Sequence, residues 1–235
     1  MKKKNVAISL ISGVLVILIA GRLYLKLSKP KFEDLDPSWG MGTKVTEAAS
    51  NDRDYYWYVD QWTTGKLGSI NCAPTVFQMV SKWQNKESDV RAENIRNKYQ
   101  PVGAGFDLSQ FYSWTTDYNI KSTWVKNVTE ESLKAEIDNG NIVVVMLNLD
   151  YIKYNENKEE RVGKYFDGGG LHYVIIKGYK VVDKNLYFEI YDPASGLQSY
   201  KDLQPIGINR YYEPKQLIDA IWGYFPDVIV VENLD

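Results

Sequence analysis

The 235-residue chain contains one cysteine and one histidine, Cys72 and His172. A single cysteine excludes a disulfide within the chain, and it also excludes a closed zinc site built from several Cys and His ligands. Only one Cys–His pair is therefore available to act as nucleophile and base. Two interpretations of the thiol stay open at this point. It is either a reactive group or a buried, inert side chain that packs as a small hydrophobe.

Basic charge is scarce outside the N-terminal segment. Seven of the 28 Lys and Arg residues precede Phe32, whereas none of the 30 Asp and Glu residues does. The remaining residues, 32–235, carry 21 basic and 30 acidic side chains, a formal charge of −9. Because nucleic acid is bound through clustered Lys and Arg, we expect no nucleic-acid partner for this domain.

Long apolar runs are absent apart from one near the N-terminus. After three lysines, the chain runs from Asn5 to Gly21 without a charge. As a helix this run would span about 26 Å, close to the roughly 30 Å hydrocarbon core of a bilayer. It predicts a signal anchor or signal peptide at residues 1–26, and a poor cleavage site around Ala20-Gly21 favours the membrane anchor. We therefore expect the rest of the chain outside the cell, either anchored to the membrane or secreted.

The remainder of the chain divides by composition into two parts. Residues 27–53 contain prolines, lysines and acids without an apolar period, which predicts a linker. Residues 54–235 are dense in aromatic and aliphatic side chains and show no internal repeat. About 180 residues suffice for one hydrophobic core, so we predict one domain here.

The apolar periodicity of this domain changes midway. A period near 3.6 predicts helices at 72–83, 90–99, 107–117 and 129–139, the third with a capping box formed by Asp107 and Gln110. Strands are predicted at 142–149, 172–179, 185–191 and 227–232, with a connection at 180–184 and a short helix at 213–222. Helices followed by mainly antiparallel strands predict an α+β fold with a helical half packed against a sheet half. Cys72 would then begin a helix and His172 would lie on a strand, with a cleft between them.

Three residue types around this cleft suit nucleophilic catalysis. A cysteine at a helix N-terminus is favoured as thiolate, and a neighbouring imidazolium such as His172 favours it further. The imidazole needs a third group to orient it, and Asp192 at the end of the next strand is the best candidate. The alternative is that Asp192 only starts the turn that continues with Pro193 and Gly196.

An oxyanion would also need hydrogen-bond donors. The backbone N–H of Cys72 can supply one, and the side-chain amide of Gln61, on the incoming loop, can supply another. Taken alone, a loop glutamine such as Gln61 is equally well explained as a solvated surface residue.

These motifs together carry a resemblance to a known family. Gln61, Cys72-Ala73-Pro74-Thr75, the segment from His172 to Tyr179 and Asp192-Pro193-Ala194 resemble the peptidase C39-like family of papain-like cysteine peptidases. The resemblance implies a papain-like fold. It also implies Cys72 as nucleophile, His172 as general base, Asp192 as orienting group and Gln61 as oxyanion-hole donor. One departure is Asn71-Cys72-Ala73, where many relatives have Asp-Cys-Gly.

The predicted function is an exported cysteine peptidase that acts on a peptide or protein without a metal or organic cofactor. Three alternatives stay open: an acyltransferase that uses the same thioester, a non-catalytic binding domain at the cell surface, and a structural envelope protein with a buried thiol. The sequence sets no oligomeric state.

Overall fold

The structure, a computed structural model, describes residues 32–234. The signal anchor or signal peptide predicted at residues 1–26 lies outside this range. Among the described residues, no helix has the length and apolar character needed to cross a membrane. Contacts between residues group Asp34–Asp235 into one compact unit.

Five α-helices occur in the described range: α1 (Cys72–Gln84), α2 (Ala92–Tyr99), α3 (Leu108–Asp117), α4 (Glu130–Asp138) and α5 (Pro214–Trp222). Each coincides with a predicted helix to within two residues. The capping box predicted for α3 is present, since the Asp107 carboxylate accepts from the Gln110 N–H and the Gln110 side chain accepts from the Asp107 N–H. Helix α4 is capped in the same way by Thr129 and Ser132.

The strands form one seven-stranded antiparallel sheet: β1 (Val45–Ser50), β2 (Ser122–Val125), β3 (Ile142–Asn148), β4 (Leu171–Val182), β5 (Asn185–Tyr191), β6 (Arg210–Tyr212) and β7 (Val228–Val231). Their order is β2-β7-β3-β4-β5-β6, and β1 pairs with the second half of β4. Strand β4 is the longest and pairs with β1, β3 and β5. It therefore connects most of the sheet.

Both faces of the sheet are covered by helices. One face packs against α1, α2 and α3 in a core that includes Val76, Phe77, Ile95, Phe111, Val144 and Tyr173. The other face packs against α4 and α5 in a core that includes Leu133, Ile137, Val143, Val174, Leu217 and Ile221. The predicted division into a helical half and a sheet half implied helices on one side of the sheet only. Helices instead cover both of its faces. The uninterrupted apolar run of β3 explains this, because a strand without polar alternation needs cover on both faces.

The predicted linker at residues 27–53 is wrong for its second half, because Val45–Ser50 forms β1. This strand has few large apolar side chains, and its position is set by backbone pairing with β4. Gly178 in β4 permits the close approach, since a Cβ there would lie 2.6 Å from the Ala49 carbonyl oxygen. A strand that is held mainly by backbone pairing needs no alternation of apolar side chains, so the sequence of β1 shows no strand pattern.

The predicted connection at residues 180–184 is too long. Strand β4 continues to Val182, and only Asp183 and Lys184 lie between it and β5. Both have positive φ, 47° and 73°, as a two-residue type I′ hairpin turn requires. The Asp183 carboxylate also accepts from the Thr43 N–H at 3.0 Å, which joins this turn to the segment before β1.

Candidate active site

Cys72 is the first residue of α1 and is half-buried. Its position exposes the thiol to the unpaired N–H groups and the positive end of the helix dipole. The backbone N–H groups of Ala73 and Tyr173 lie at the sulfur and help to lower the pKa of Cys72. The preceding Asn71 stands at the N-cap, yet its side chain makes no capping bond and instead donates to the Thr64 carbonyl at 2.9 Å. The helix terminus is therefore left open to the thiol.

His172 is the second residue of β4, where it pairs with Leu147 of β3. Its Nε2 lies 2.8 Å from Oδ1 of Asp192. The imidazole also interacts with the Cys72 thiol, which helps to raise the pKa of His172, and the Nε2 contact with Asp192 leaves Nδ1 for this interaction. The ring of Phe166 meets the imidazole edge-on, with ring centroids 6.3 Å apart. The structure thus joins Cys72, His172 and Asp192 in one continuous chain of contacts.

The charges in this chain of contacts favour an ion pair. Burial disfavours a charged imidazole, but Asp192 and Cys72 outweigh it and raise the pKa of His172 to about 10. Burial likewise disfavours the thiolate, yet His172 and the backbone N–H groups at the sulfur lower the pKa of Cys72 below its ordinary value. Because the two shifts have opposite sign, both favour the thiolate–imidazolium pair over the neutral pair.

Asp192 follows β5 directly and is fully buried. Its Oδ1 accepts both from His172 and from the Ala194 N–H at 2.9 Å. The Tyr212 hydroxyl lies 3.5 Å from Oδ2, and the Tyr58 hydroxyl donates to the Asp192 carbonyl at 2.7 Å. The two interpretations of Asp192 therefore hold together: the carboxylate starts a turn and also contacts the histidine.

Gln61 is buried, which rules out the solvated surface position that its loop context suggested. It begins a 3₁₀ turn at Gln61–Thr63, and its backbone N–H donates to the Pro193 carbonyl at 2.7 Å. Its side-chain Nε2 donates to the Ser69 carbonyl at 3.2 Å, on the loop that leads into Cys72. Its Oε1 is buried without a hydrogen-bond partner among the described residues. The Gln61 loop thus contacts both the Asp192 turn and the Cys72 loop.

Several contacts of this site were not found from the sequence. Tyr58 and Tyr212 support Asp192, and Arg96 donates to the side chain of Asn71 at 2.8 Å. These side chains reach the site from distant parts of the chain, so no local spacing identifies them. A dense aromatic run from Tyr55 to Tyr58 is the one signal that pointed towards Tyr58.

Residues 32–234 include no group of three or more His, Cys, Asp and Glu side chains arranged to hold a metal ion.

Solved structures similar to this chain include two peptidases. A protein of Bacillus anthracis described as a C39-like peptidase superposes with a TM-score of 0.52 at 14% identity, covering 80% of this chain and 98% of its own. Procathepsin L 3 of the larval midgut of Tenebrio molitor gives a TM-score of 0.48 at 11% identity, covering 88% of this chain and 75% of its own. No curated protein matches the sequence.

The predicted α+β fold is thus confirmed, including its antiparallel sheet. The sequence model described as the Peptidase_C39 like family matches residues 54–215, well over half of the chain. The predicted resemblance is therefore confirmed, and the chain belongs to the Peptidase_C39 like family.

Proposed function

We propose that this protein is a cysteine peptidase that hydrolyses peptide bonds through a thioester on Cys72. The observation that carries the proposal is the continuous contact from the half-buried Cys72 thiol through His172 to Asp192. Membership of a cysteine peptidase family supports the same activity.

The residues divide the chemistry among them. The Cys72 thiolate attacks the peptide carbonyl carbon, and the electron pair of the C=O bond moves to the oxygen. The Cys72 N–H and the Gln61 amide donate to that oxyanion. The intermediate collapses to a thioester as the C–N bond breaks, and His172 gives its proton to the leaving amine. Water then attacks the thioester with His172 as base, which releases the acid and the free thiol.

Asp192 keeps the imidazole oriented throughout this cycle. Its Oδ1 accepts from Nε2 of His172, so Nδ1 stays directed at the sulfur. The buried carboxylate also stabilises the imidazolium that the leaving amine needs as acid. Because Asp192 is fully buried, solvent does not screen this charge.

We further propose that the domain acts outside the cell, tethered by an N-terminal membrane helix. The uncharged run from Asn5 to Gly21, about 26 Å long as a helix, supports the membrane tether. A membrane-impermeant maleimide applied to intact cells tests it, because Cys72 is the only thiol in the chain. Labelling of Cys72 is expected in intact cells, and labelling only after lysis would contradict an outside location.

The proposed activity is tested first by the reactivity of the thiol. In the full-length chain, we expect the rate of iodoacetamide alkylation to be already on its plateau near neutral pH. In His172→Ala the rate should rise only near pH 8.5, as for an ordinary thiol. An ordinary profile in the unsubstituted protein would contradict the catalytic assignment and favour a binding or structural role.

A second measurement separates hydrolysis from acyl transfer. Incubation with a peptide library, followed by mass spectrometry, should show cleavage products that Cys72→Ala does not form. Adding a primary amine at millimolar concentration shows which acceptor is used. Free acids as the main products support the peptidase, whereas amide-linked products would assign an acyltransferase instead.

A further inference from the structure

A buried cation lies behind the loop that leads into Cys72. Arg96, on α2, is 1% exposed. Its Nε donates to Oδ1 of Asn71 at 2.8 Å, and one terminal nitrogen donates to the Ile70 carbonyl at 2.8 Å. The other terminal nitrogen donates to the Ala104 carbonyl at 2.6 Å and the Gln100 carbonyl at 3.3 Å. One side chain thus holds two loops together.

These contacts fix the backbone immediately before the thiol. Ile70 and Asn71 are the two residues that precede Cys72, and both accept hydrogen bonds from Arg96. The planar guanidinium makes its bonds in a fixed geometry, so the loop has little freedom to shift relative to α2. The guanidinium carbon also lies 4.4 Å from the ring centroid of Phe106, whose carbonyl accepts from the Tyr173 hydroxyl. Arg96 is thereby linked, through Phe106 and Tyr173, to the strand that carries His172.

The guanidinium has no carboxylate partner among residues 32–234. Its hydrogen-bond acceptors are an amide oxygen and three backbone carbonyls. Burial lowers the pKa of Arg96 below its ordinary value, and the charge that opposes this shift is the Cys72 thiolate. A buried cation without a counterion is costly, so an anion at Cys72 stabilises it. The attraction is mutual, so a positive charge at Arg96 favours the thiolate in turn.

We propose that Arg96 is a positioning residue for Cys72, which holds the loop in front of the thiol and supplies a positive potential that favours the thiolate. The inference deepens the proposed function and rests on it, because it takes Cys72 as the nucleophile. It assigns part of the activation of the thiol to a residue outside the chain of contacts through His172 and Asp192.

Three side chains with a charge or a titratable group face Cys72 from the elements around it. His172 and Tyr173 lie on β4, and Arg96 lies on α2. Burial raises the pKa of Tyr173 above its ordinary value, so this phenol stays neutral near pH 7. Because His172 also favours the thiolate, the effect of removing Arg96 on Cys72 is expected to be partial.

The test is a titration of Cys72 in the full-length chain, with cysteine labelled with ¹³C at Cβ. The chain has one cysteine, so the signal reports Cys72 alone. Arg96→Met removes the charge, Arg96→Gln removes it but keeps an amide donor for the loop, and Arg96→Lys keeps the charge. In both neutral variants the midpoint should rise by about 1 unit, a roughly tenfold loss of thiolate below the midpoint. In Arg96→Lys it should stay close to that of the unsubstituted chain.

Arg161→Met is the matched control. Arg161 is also buried and its guanidinium stacks on aromatic rings, those of Trp39 and Tyr200, but it pairs with Asp202 rather than facing the thiol. Its removal should lower the free energy of unfolding without moving the Cys72 midpoint. If Arg96→Met fails to fold, Arg96→Gln retains hydrogen bonding to the loop and tests the charge in a folded chain.

Two outcomes overturn the inference, and they are distinguishable. A low midpoint that rises in His172→Ala but not in the folded Arg96→Gln or Arg96→Met chain would overturn the role of Arg96 and leave the proposed function intact. An ordinary midpoint near 8.5 in the unsubstituted chain would overturn both.

Discussion

At the scale of single residues, the site depends on where charge is buried. The Asp192 carboxylate is fully buried and contacts His172 at 2.8 Å, so its charge acts on the imidazole with little screening. This explains why the pKa of His172 rises although the ring itself is buried. The same physical cause, an opposite charge close by in a largely buried site, favours the Cys72 thiolate.

Asp192→Asn separates the charge of this residue from its shape. The amide oxygen can still accept from Nε2 of His172, but the negative charge is lost. We expect the pKa of His172 to fall from about 10 by 1 unit or more. As the pH is raised, the imidazolium of the thiolate–imidazolium pair should therefore lose its proton at a lower pH than in the unsubstituted chain. The imidazole ¹⁵N signals report this directly, because His172 is the only histidine.

Asp167→Asn provides the control for that titration. Asp167 is an exposed carboxylate on the loop that leads to His172, and its charge is screened by water. The imidazole midpoint should be unchanged in this variant. An equal shift in both variants would show that general charge, rather than the buried contact, sets the protonation of His172.

At the scale of elements, α1 and β4 bring the reacting groups together. Helix α1 presents Cys72 at its first residue, and β4 presents His172 near its start. The hairpin from β4 to β5 then returns the chain so that Asp192 follows β5 beside the histidine. The length of this hairpin is set by the two-residue turn at Asp183 and Lys184. An error in turn length would shift the register that places Asp192.

Lys184→Gly is expected to stabilise the protein. Lys184 has φ of 73°, a region that costs a residue with a Cβ roughly 1 kcal/mol and that glycine adopts freely. Asp-Gly is also a preferred sequence for this turn type. Urea unfolding at pH 7 should show a free energy of unfolding higher by about 0.5–1 kcal/mol.

Lys201→Gly is the comparison for the turn. Lys201 is exposed and does not have positive φ, so glycine there only increases the freedom of the unfolded chain. A small loss of stability is expected. Destabilisation by Lys184→Gly as well would show that the hairpin does not need the left-handed conformation at this position.

At the scale of the whole molecule, an ionic network joins the sheet to the segment before the catalytic loop. Lys177 of β4 is buried and lies 3.0 Å from the Asp52 carboxylate and 3.1 Å from that of Glu189 in β5. Glu189 also accepts from Ser50 of β1 at 2.8 Å and from Tyr211 of β6 at 2.9 Å. One carboxylate therefore contacts three strands besides its own.

Glu189→Gln should weaken this network in a pH-dependent way. Burial disfavours the carboxylate, but Lys177, Lys180 and the hydroxyl donors lower the pKa of Glu189 to about 2. A carboxyl with a depressed pKa adds stability above its unfolded pKa of about 4.3, and this stability is lost as pH falls towards 2. At pH 7 the variant should lose about 3 kcal/mol, because the buried Lys177 keeps only the partly exposed Asp52 carboxylate as its partner.

Urea unfolding between pH 2 and pH 7 measures this effect. The difference between the unsubstituted chain and Glu189→Gln should be largest at pH 7 and should shrink as the pH falls below 4. Glu156→Gln, at an exposed position, should leave the whole profile unchanged. A constant difference across this range would show that the loss comes from packing and not from the charge.

The sequence by itself determined the five helices, four of the seven strands and the candidate residues. Helix α1, the strands β3 to β5 and the capping box of α3 follow from apolar period and capping chemistry, which are local properties. Because the chain has one cysteine and one histidine, Cys72 and His172 could be identified as candidates from the sequence alone. Asp192 and Gln61 came from local motifs and from the resemblance that they carry.

Only the tertiary structure decided which of these residues meet and what surrounds them. Strand β1 exists because β4 offers a partner with a glycine at the close approach, and its own sequence shows no strand pattern. Gln61 is buried because the Asp192 turn accepts its N–H, and Arg96 lies behind Cys72 because α2 packs against the incoming loop. Such contacts join positions that are distant in the chain, and their free energy depends on burial. Burial is a property of the folded chain as a whole, and no local sequence window contains it.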